Sequence, residues 1–181
     1  SRMSHQPFYH LRPNKSIYRT IFAQTLSCLS RRYPISTYRY TGFGSYLFDD
    51  FRILHDQLNI SDMISLENDS MEYDRAKYNV PYNCIEIKNI TSSDYITNLT
   101  IEDNEHNIFW LDFVEPSELG QQLADFASLL EILNPNDIIR ITLNANPSTL
   151  GSEGKGDDIQ KNRAEKLKTR VKREYLPNEL T

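Results

Sequence analysis

Three short stretches carry side chains suited to chemistry. The first is Gly42-Phe43-Gly44, inside TYRYTGFGSYLFDD at 37–50. Two of the six glycines of the chain fall here and three more in the loop at 151–156. Glycine lets a backbone turn sharply and approach a ligand closely, and a helix starting just after it offers free N–H groups to an anion. Any tight strand-to-helix turn wants the same residue, so the motif alone decides little. The second stretch is MISLE, ending in Glu67, 25 residues after Gly42. An acid at that distance, on the tip of the next strand, suits a two-oxygen grip on ribose hydroxyls. In isolation it would be a solvent-facing acid. The third is IFWL followed by Asp112. An acid ahead of a helix is favoured by the helix dipole, which accounts for Glu115 better than for Asp112.

These residues act together only if the elements around them bring strand ends to one edge. Helical spacing of Ile17, Ile21, Phe22 and Leu29 predicts a helix over 14–32, stopped by Pro34. Strands are predicted at 38–41, 63–67, 84–88, 108–111 and 138–143. Helices are predicted at 46–57, 70–78 with Ser70 as cap, from Thr91 onward in capping-box style, 116–133, and 159–175. The helix at 116–133 has Leu119, Leu123, Phe126, Leu129, Leu130 and Leu133 on its apolar face, and the last helix has Leu167, Val171 and Tyr175. Residues 102–107 read as a polar loop and 144–158 as a loop rich in Gly, Ser and Pro. Alternating strands and helices imply an α/β fold with a parallel, doubly wound sheet, whose ligands sit at the carboxyl ends of the strands. The sixth and seventh strands that such a sheet can carry are not visible. One domain is expected over 1–181, with a core at 11–145, a loop at 146–158 and a basic helix at 159–175.

The 181 residues are 39% hydrophobic and 25% charged, an ordinary globular composition. No apolar run approaches the roughly 20 residues of a membrane span. The start, SRMSHQPFYH, lacks a signal pattern, and Ser1-Arg2 ahead of Met3 reads as a leftover extension. Cys28 and Cys84 read as small buried apolar residues without metal or redox spacing, which points to a reducing, cytoplasmic setting. The net charge of −5 argues against general nucleic-acid binding. Residues 155–173, however, hold eight basic and three acidic side chains, a net of +5, leaving −10 elsewhere. A solvated helix face explains that segment more simply than a phosphate contact. His5, His10, His55 and His106 show no metal or catalytic pairing and read as surface or packed residues.

Taken together, LRPNK at 11–15, YTGFGSYLFDDF at 40–51, DMISLEND at 62–69, RAKYNVPYNCI at 75–85 and NIFWLDFVEP at 107–116 resemble class I S-adenosylmethionine-dependent methyltransferases. More narrowly they are similar to a bacterial O-methyltransferase-like group, over about residues 11–145. The resemblance implies S-adenosylmethionine as cofactor. It implies that Thr41, Gly42, Phe43 and Gly44 pass its methionine part and that Glu67 binds its ribose. Asn68 and Asn89, the latter within the 88–90 segment, would flank the adenine. Asp112 and Phe113 would face the methyl donor and the substrate, with Asp112 as the catalytic residue. Arg12, Asn14 and Lys15 are candidates for the acceptor.

One departure stands out. Thr41 occupies the place of the acid that usually opens the glycine turn, so the cofactor's ammonium group lacks a familiar partner. Asp49 or Asp50 would be the substitutes. The donor is already activated, so the protein mainly positions reactants and excludes water. The Pro-Pro-aromatic run of amino-methylating nucleic-acid enzymes is absent after Asp112, and an Asp-rich metal site is also absent, so no metal is assigned. The expected activity is methyl transfer to an unidentified acceptor, an oxygen by the subgroup's pattern. The alternative is a non-catalytic Rossmann-like module that keeps the fold and serves a partner. A second copy or another protein could complete an open sheet edge, and the basic helix is the place for nucleic acid. With the missing strands, the chain reads as a shortened form or part of a larger assembly.

Overall fold

The structure is a computed structural model that describes residues 13–144, 146–151, 154 and 156–177. The chain divides into two compact units, Ser1–Asn89 and Ile90–Thr181. Its five strands form an all-parallel sheet in the order β3-β2-β1-β4-β5, the doubly wound arrangement that the alternation implies. The order reverses at β1, the strand that leads into the glycine turn.

The first unit contains α1 (Pro13–Leu29), β1 (Arg39–Gly42), α2 (Asp49–Leu58), β2 (Asp62–Glu67), α3 (Ser70–Asn79) and β3 (Ile85–Asn89). Its strands pair in parallel, with Gly42 level with Ser65 and Glu67 level with Asn89. Both faces of β2 are covered, so Met63 to Glu67 are all buried, a continuous run rather than an alternation. Tyr40 meets Phe51 edge to face at 4.9 Å, and Phe51 meets Phe48 at 5.6 Å. Leu26, Leu54, Ile60 and Met63 fill the rest of this core.

The apolar face of α1 agrees with the predicted one only in part, at Phe22. Phe22, Ala23 and Leu26 are buried, whereas Ile17 and Ile21 are about half exposed, at 53% and 52%. The short Ala23 lets the helix sit close, and the large β-branched side chains are left outside. Cys28 is also exposed and Cys84 only half-buried, contrary to the expectation of two buried thiols. The cap of α3 is Asp69, not Ser70: its carboxylate accepts from the amides of Met71 and Glu72 at 2.9 and 3.0 Å. His55 packs on the Tyr82 ring at 4.3 Å, a packed histidine as the sequence suggests.

The second unit contains α4 (Ser92–Thr97), β4 (Asn107–Asp112), α5 (Leu119–Ile132), β5 (Ile138–Thr142) and α6 (Asp157–Arg170), with 3-10 turns at Pro116–Glu118, Pro147–Leu150 and Arg173–Tyr175. Thr91 caps α4 as predicted, its hydroxyl accepting from the Asp94 amide at 3.0 Å. On α5 the buried residues are Gln122, Asp125 and Leu129, and Leu130 is 51% exposed. The polar pair is tolerated because it is saturated. Asp125 accepts from Ser92 and Ser93 of α4 and from Gln121, at 2.8–2.9 Å, and Gln122 donates to the Glu115 carbonyl at 2.6 Å. The helix α6 stops at Arg170, five residues before its predicted end. Val171 is extended and buried, and Tyr175 is exposed. A β-carbon on Gly120 would run into the Arg170 carbonyl, so the start of α5 and the end of α6 are in close backbone contact. Among the described residues no helix is long and apolar enough to cross a membrane.

Candidate functional site

Part of the residue set expected from the sequence, the Gly42–Gly44 turn, Glu67 and Asn89, lies at or just beyond the carboxyl ends of β1, β2 and β3 in the first unit. Strand period puts Ser65 and Glu67 on the same face of β2, two residues apart. Gly44 follows β1 by two residues and passes over them. Its amide donates to Ser65 Oγ at 2.9 Å, and Ser65 Oγ donates to Glu67 Oε1 at 3.1 Å. The amide of Ser45 also donates to the Glu67 carboxylate. The glycine turn and the strand-tip acid are therefore joined through one hydroxyl.

Sterics explain why residue 44 is a glycine. A β-carbon there would lie 2.5 Å from Ser65 Oγ and 2.6 Å from the Phe48 ring. The turn then continues through two left-handed residues, Ser45 at φ 51° and Phe48 at φ 54°. Phe48 donates its amide to the Gly44 carbonyl at 3.0 Å and buries its ring completely. That buried ring holds a backbone conformation that bulky residues rarely adopt.

Glu67 is buried, at 8% exposure. Burial pushes its carboxyl above the ordinary value, and the Ser65 and Ser45 bonds pull it back. Asn89 is exposed and level with it on β3, and Asn68 is exposed one residue beyond. Thr41 is fully buried, and among the described residues its Oγ1 has no hydrogen-bond partner. Level with Ile64 of β2 and one residue before the glycine turn, this orphaned hydroxyl is a polar group with hydrogen-bonding capacity to spare. Two acceptor oxygens at a strand tip, a close-passing glycine backbone and a spare hydroxyl are a donor set that fits an adenosine-bearing cofactor.

The substitutes considered for the absent acid are both engaged. Asp49 pairs with Arg19 at 3.2 Å. Asp50 accepts from the Tyr40 hydroxyl at 2.5 Å. Burial raises the Asp50 carboxyl to about 6, against the pull of the Tyr40 bond and of Arg19.

The other predicted residues lie apart from this cluster in the sequence. In the second unit Asp112 ends β4 level with Thr142 of β5, and the Phe113 amide donates to the Thr142 carbonyl at 3.0 Å. Trp110 donates from Nε1 to Thr142 Oγ1 at 3.1 Å, with the Arg140 guanidinium 4.0 Å above its ring. Glu115 caps the turn that follows. The Ser117 hydroxyl and amide hold its carboxyl below the usual range. Asn14 and Lys15 lie in the first turn of α1, and Arg12 falls outside the described residues, as do His5 and His10. Among the described residues no group of three His, Cys, Asp or Glu could hold a metal ion.

Sequence reasoning passed over Ser65. The available signal was the S-x-E spacing at the end of β2, which places hydroxyl and acid on one face.

Part of the basic segment is spent on contacts within the chain. Arg163 donates to the Gly151 carbonyl at 2.8 Å, and Arg170 donates to the Thr149 carbonyl at 3.2 Å. Lys168 pairs with Glu165 at 3.1 Å.

Known structures share the fold. Cofactor-bound Rv0187 from MTB superposes with a TM-score of 0.54 at 12% identity, over 90% of this chain and 70% of that one. A putative caffeoyl-CoA O-methyltransferase from Staphylococcus aureus gives 0.52 at 11%, over 87% and 74%. Against a chain of the fibrillarin/Nop5p complex the values are 0.47 and 13%, over 75% of this chain, which spans 61% of that one. At 12% and 11% identity the likeness to the first two is one of fold. No curated protein sequence matches the chain. The family described as "Putative O-methyltransferase" matches it over residues 7–181, and the chain belongs to that family and so to the methyltransferases.

Proposed function

We propose that the chain binds S-adenosylmethionine at the carboxyl ends of β1 to β3 and transfers its methyl group to an acceptor oxygen. The observation that carries this reading is Glu67, a buried acid at the tip of β2, joined through Ser65 to the glycine turn. Its carboxylate would accept from the two ribose hydroxyls. Gly42, Phe43 and Gly44 would line the methionine part, with Thr41 Oγ1 as a spare polar partner. Asn68 and Asn89 would flank the adenine. The bound sulfonium supplies an activated methyl group, so positioning and exclusion of water are the main tasks left to the protein. The roles given to Asp112, as the residue orienting or deprotonating the acceptor, and to Phe113 rest on the family pattern alone. So do those of Arg12, Asn14 and Lys15 toward the acceptor. The free thiols Cys28 and Cys84 suit a reducing cytoplasm.

Titration calorimetry with S-adenosylmethionine and S-adenosylhomocysteine tests the reading. Binding of either, lost by about a hundredfold or more in Glu67→Ala, is expected when two hydrogen bonds to a charged group disappear. Absence of binding at millimolar ligand would sink it.

A further inference from the structure

Ser65 is fully buried, and its one hydroxyl serves two masters. A lone pair takes the Gly44 amide at 2.9 Å and its proton goes to Glu67 Oε1 at 3.1 Å. Both bonds depend on the missing side chain at 44, because a β-carbon there would occupy the hydroxyl's own space at 2.5 Å. A serine that merely satisfied a buried strand would need neither the turn nor the acid. Here the hydroxyl fixes the height of the turn over β2 and the orientation of the carboxylate at once. Part of the freedom that the Glu67 side chain would otherwise lose on binding is thereby removed in advance.

We propose that Ser65 is a positioning residue for the cofactor, holding the glycine turn and the Glu67 carboxylate as one preorganised cradle. This rests on the reading that Glu67 grips the ribose. It carries a consequence in pH. The Glu67 carboxylate must be ionised to accept from two hydroxyls. The Ser65 bond favours the ionised form, whereas burial disfavours it. The other groups facing it are the Ser45 amide, which also favours ionisation, and the carboxylates of Glu72 on α3 and Asp50 on α2, which oppose it. Glu72 is itself paired with Arg75 at 2.9 Å. Removing the Ser65 proton therefore raises the carboxyl further, and ligand binding falls away at a higher pH than in the unmodified protein.

The test is calorimetric binding of S-adenosylhomocysteine between pH 5 and 8 to the full chain and to Ser65→Ala, Ser65→Cys, Glu67→Gln and Ser65→Ala/Glu67→Gln, each checked for folding by thermal melting. Ser65→Ala is expected to bind about tenfold more weakly at pH 7, the scale of one hydrogen bond to a charged group. Its acid limb is expected to move to higher pH. Ser65→Cys, of similar shape but a weak donor and a weak acceptor, keeps the strand packed and should show the same displaced limb. Glu67→Gln should lose the limb altogether, and the double variant should lose clearly less than the sum of the two single losses, since the two residues act largely as one unit. Wild-type affinity and an unmoved limb in folded Ser65→Ala or Ser65→Cys would overturn the proposal while leaving the role of Glu67 intact. Additive losses in the double variant would do the same. No binding by the unmodified chain would remove both.

Discussion

Two regions of this chain concentrate glycine, and they use it for different physical ends. At Gly44 the backbone angle is unexceptional, and what excludes a side chain is space already filled by Ser65 and Phe48. At Gly151 and Gly154 the reverse holds. Their φ values of +98° and +106° exclude other residues, while the nearest atom to a Gly151 β-carbon is the mobile end of Lys166. Charge divides the same way. Around the first turn the acids are buried and their carboxyls raised, at Glu67 and Asp50. Around the second loop the arginines are spent on carbonyls, at Gly151 and Thr149. The glycine that yields to packing sits in the proposed cofactor cradle, and the glycines that yield to φ sit where the chain has to turn. Counting glycines in the sequence does not separate the two.

The sharpest test of this contrast is Gly44→Ala. Overpacking against Ser65 and the Phe48 ring should cost about 3 kcal/mol in chemical denaturation. It should also abolish S-adenosylhomocysteine binding, because the hydroxyl has to move. Retained binding would break the comparison at its first term.

Next in size is the pH dependence set by Asp50. The folded carboxyl holds its proton up to about 6, while the unfolded one releases it near 3.8. Between those values the folded state binds more protons, so stability falls as pH rises through that window, by about 3 kcal/mol in total. Asp50→Asn, which still accepts from Tyr40, should flatten this leg of the stability curve. An unchanged leg would show that the costly charge lies elsewhere.

Gly151→Ala comes third. It forces a glycine-only conformation on alanine and should cost about 1.5 kcal/mol with ligand affinity unaltered. A loss of affinity matching that of Gly44→Ala would erase the distinction between the two glycine regions. Smallest is Lys168→Ala on α6. It breaks an exposed pair with Glu165 and should change the melting free energy by less than about 0.5 kcal/mol.

Much of this was legible in the sequence where one signal dominated. The run IFWL could hardly be anything but a buried strand, and Glu67 and Asp112 do end β2 and β4. The parallel sheet followed from alternation alone. What escaped shares a cause: its meaning depends on a partner distant in sequence. Asp125 lies off the apolar stripe of α5, and only Ser92 and Ser93, some 32 residues earlier, make it a buried residue. Ile17 and Ile21 look like the inner face of α1 because they are large, but the face is decided by what α1 packs against, and small Ala23 fits there. Ser65 disappears inside an apolar run, since nothing local says that a glycine amide 21 residues earlier needs an acceptor. The turn at Pro147–Leu150 lies inside the predicted loop at 144–158, because its cap, Asn146, acts on its own neighbours without any apolar period.

The Phe48 ring has a bearing on how this protein can be altered. It fills the volume beside Gly44 from a left-handed backbone position, so residues 44, 48 and 65 share one small space and one set of constraints. A directed-evolution library that varies any of them singly will sample almost nothing but failures. One that varies the three together, trading ring size against a side chain at 44, gives access to cradles of a different depth. Natural drift at these positions should for the same reason be correlated rather than independent.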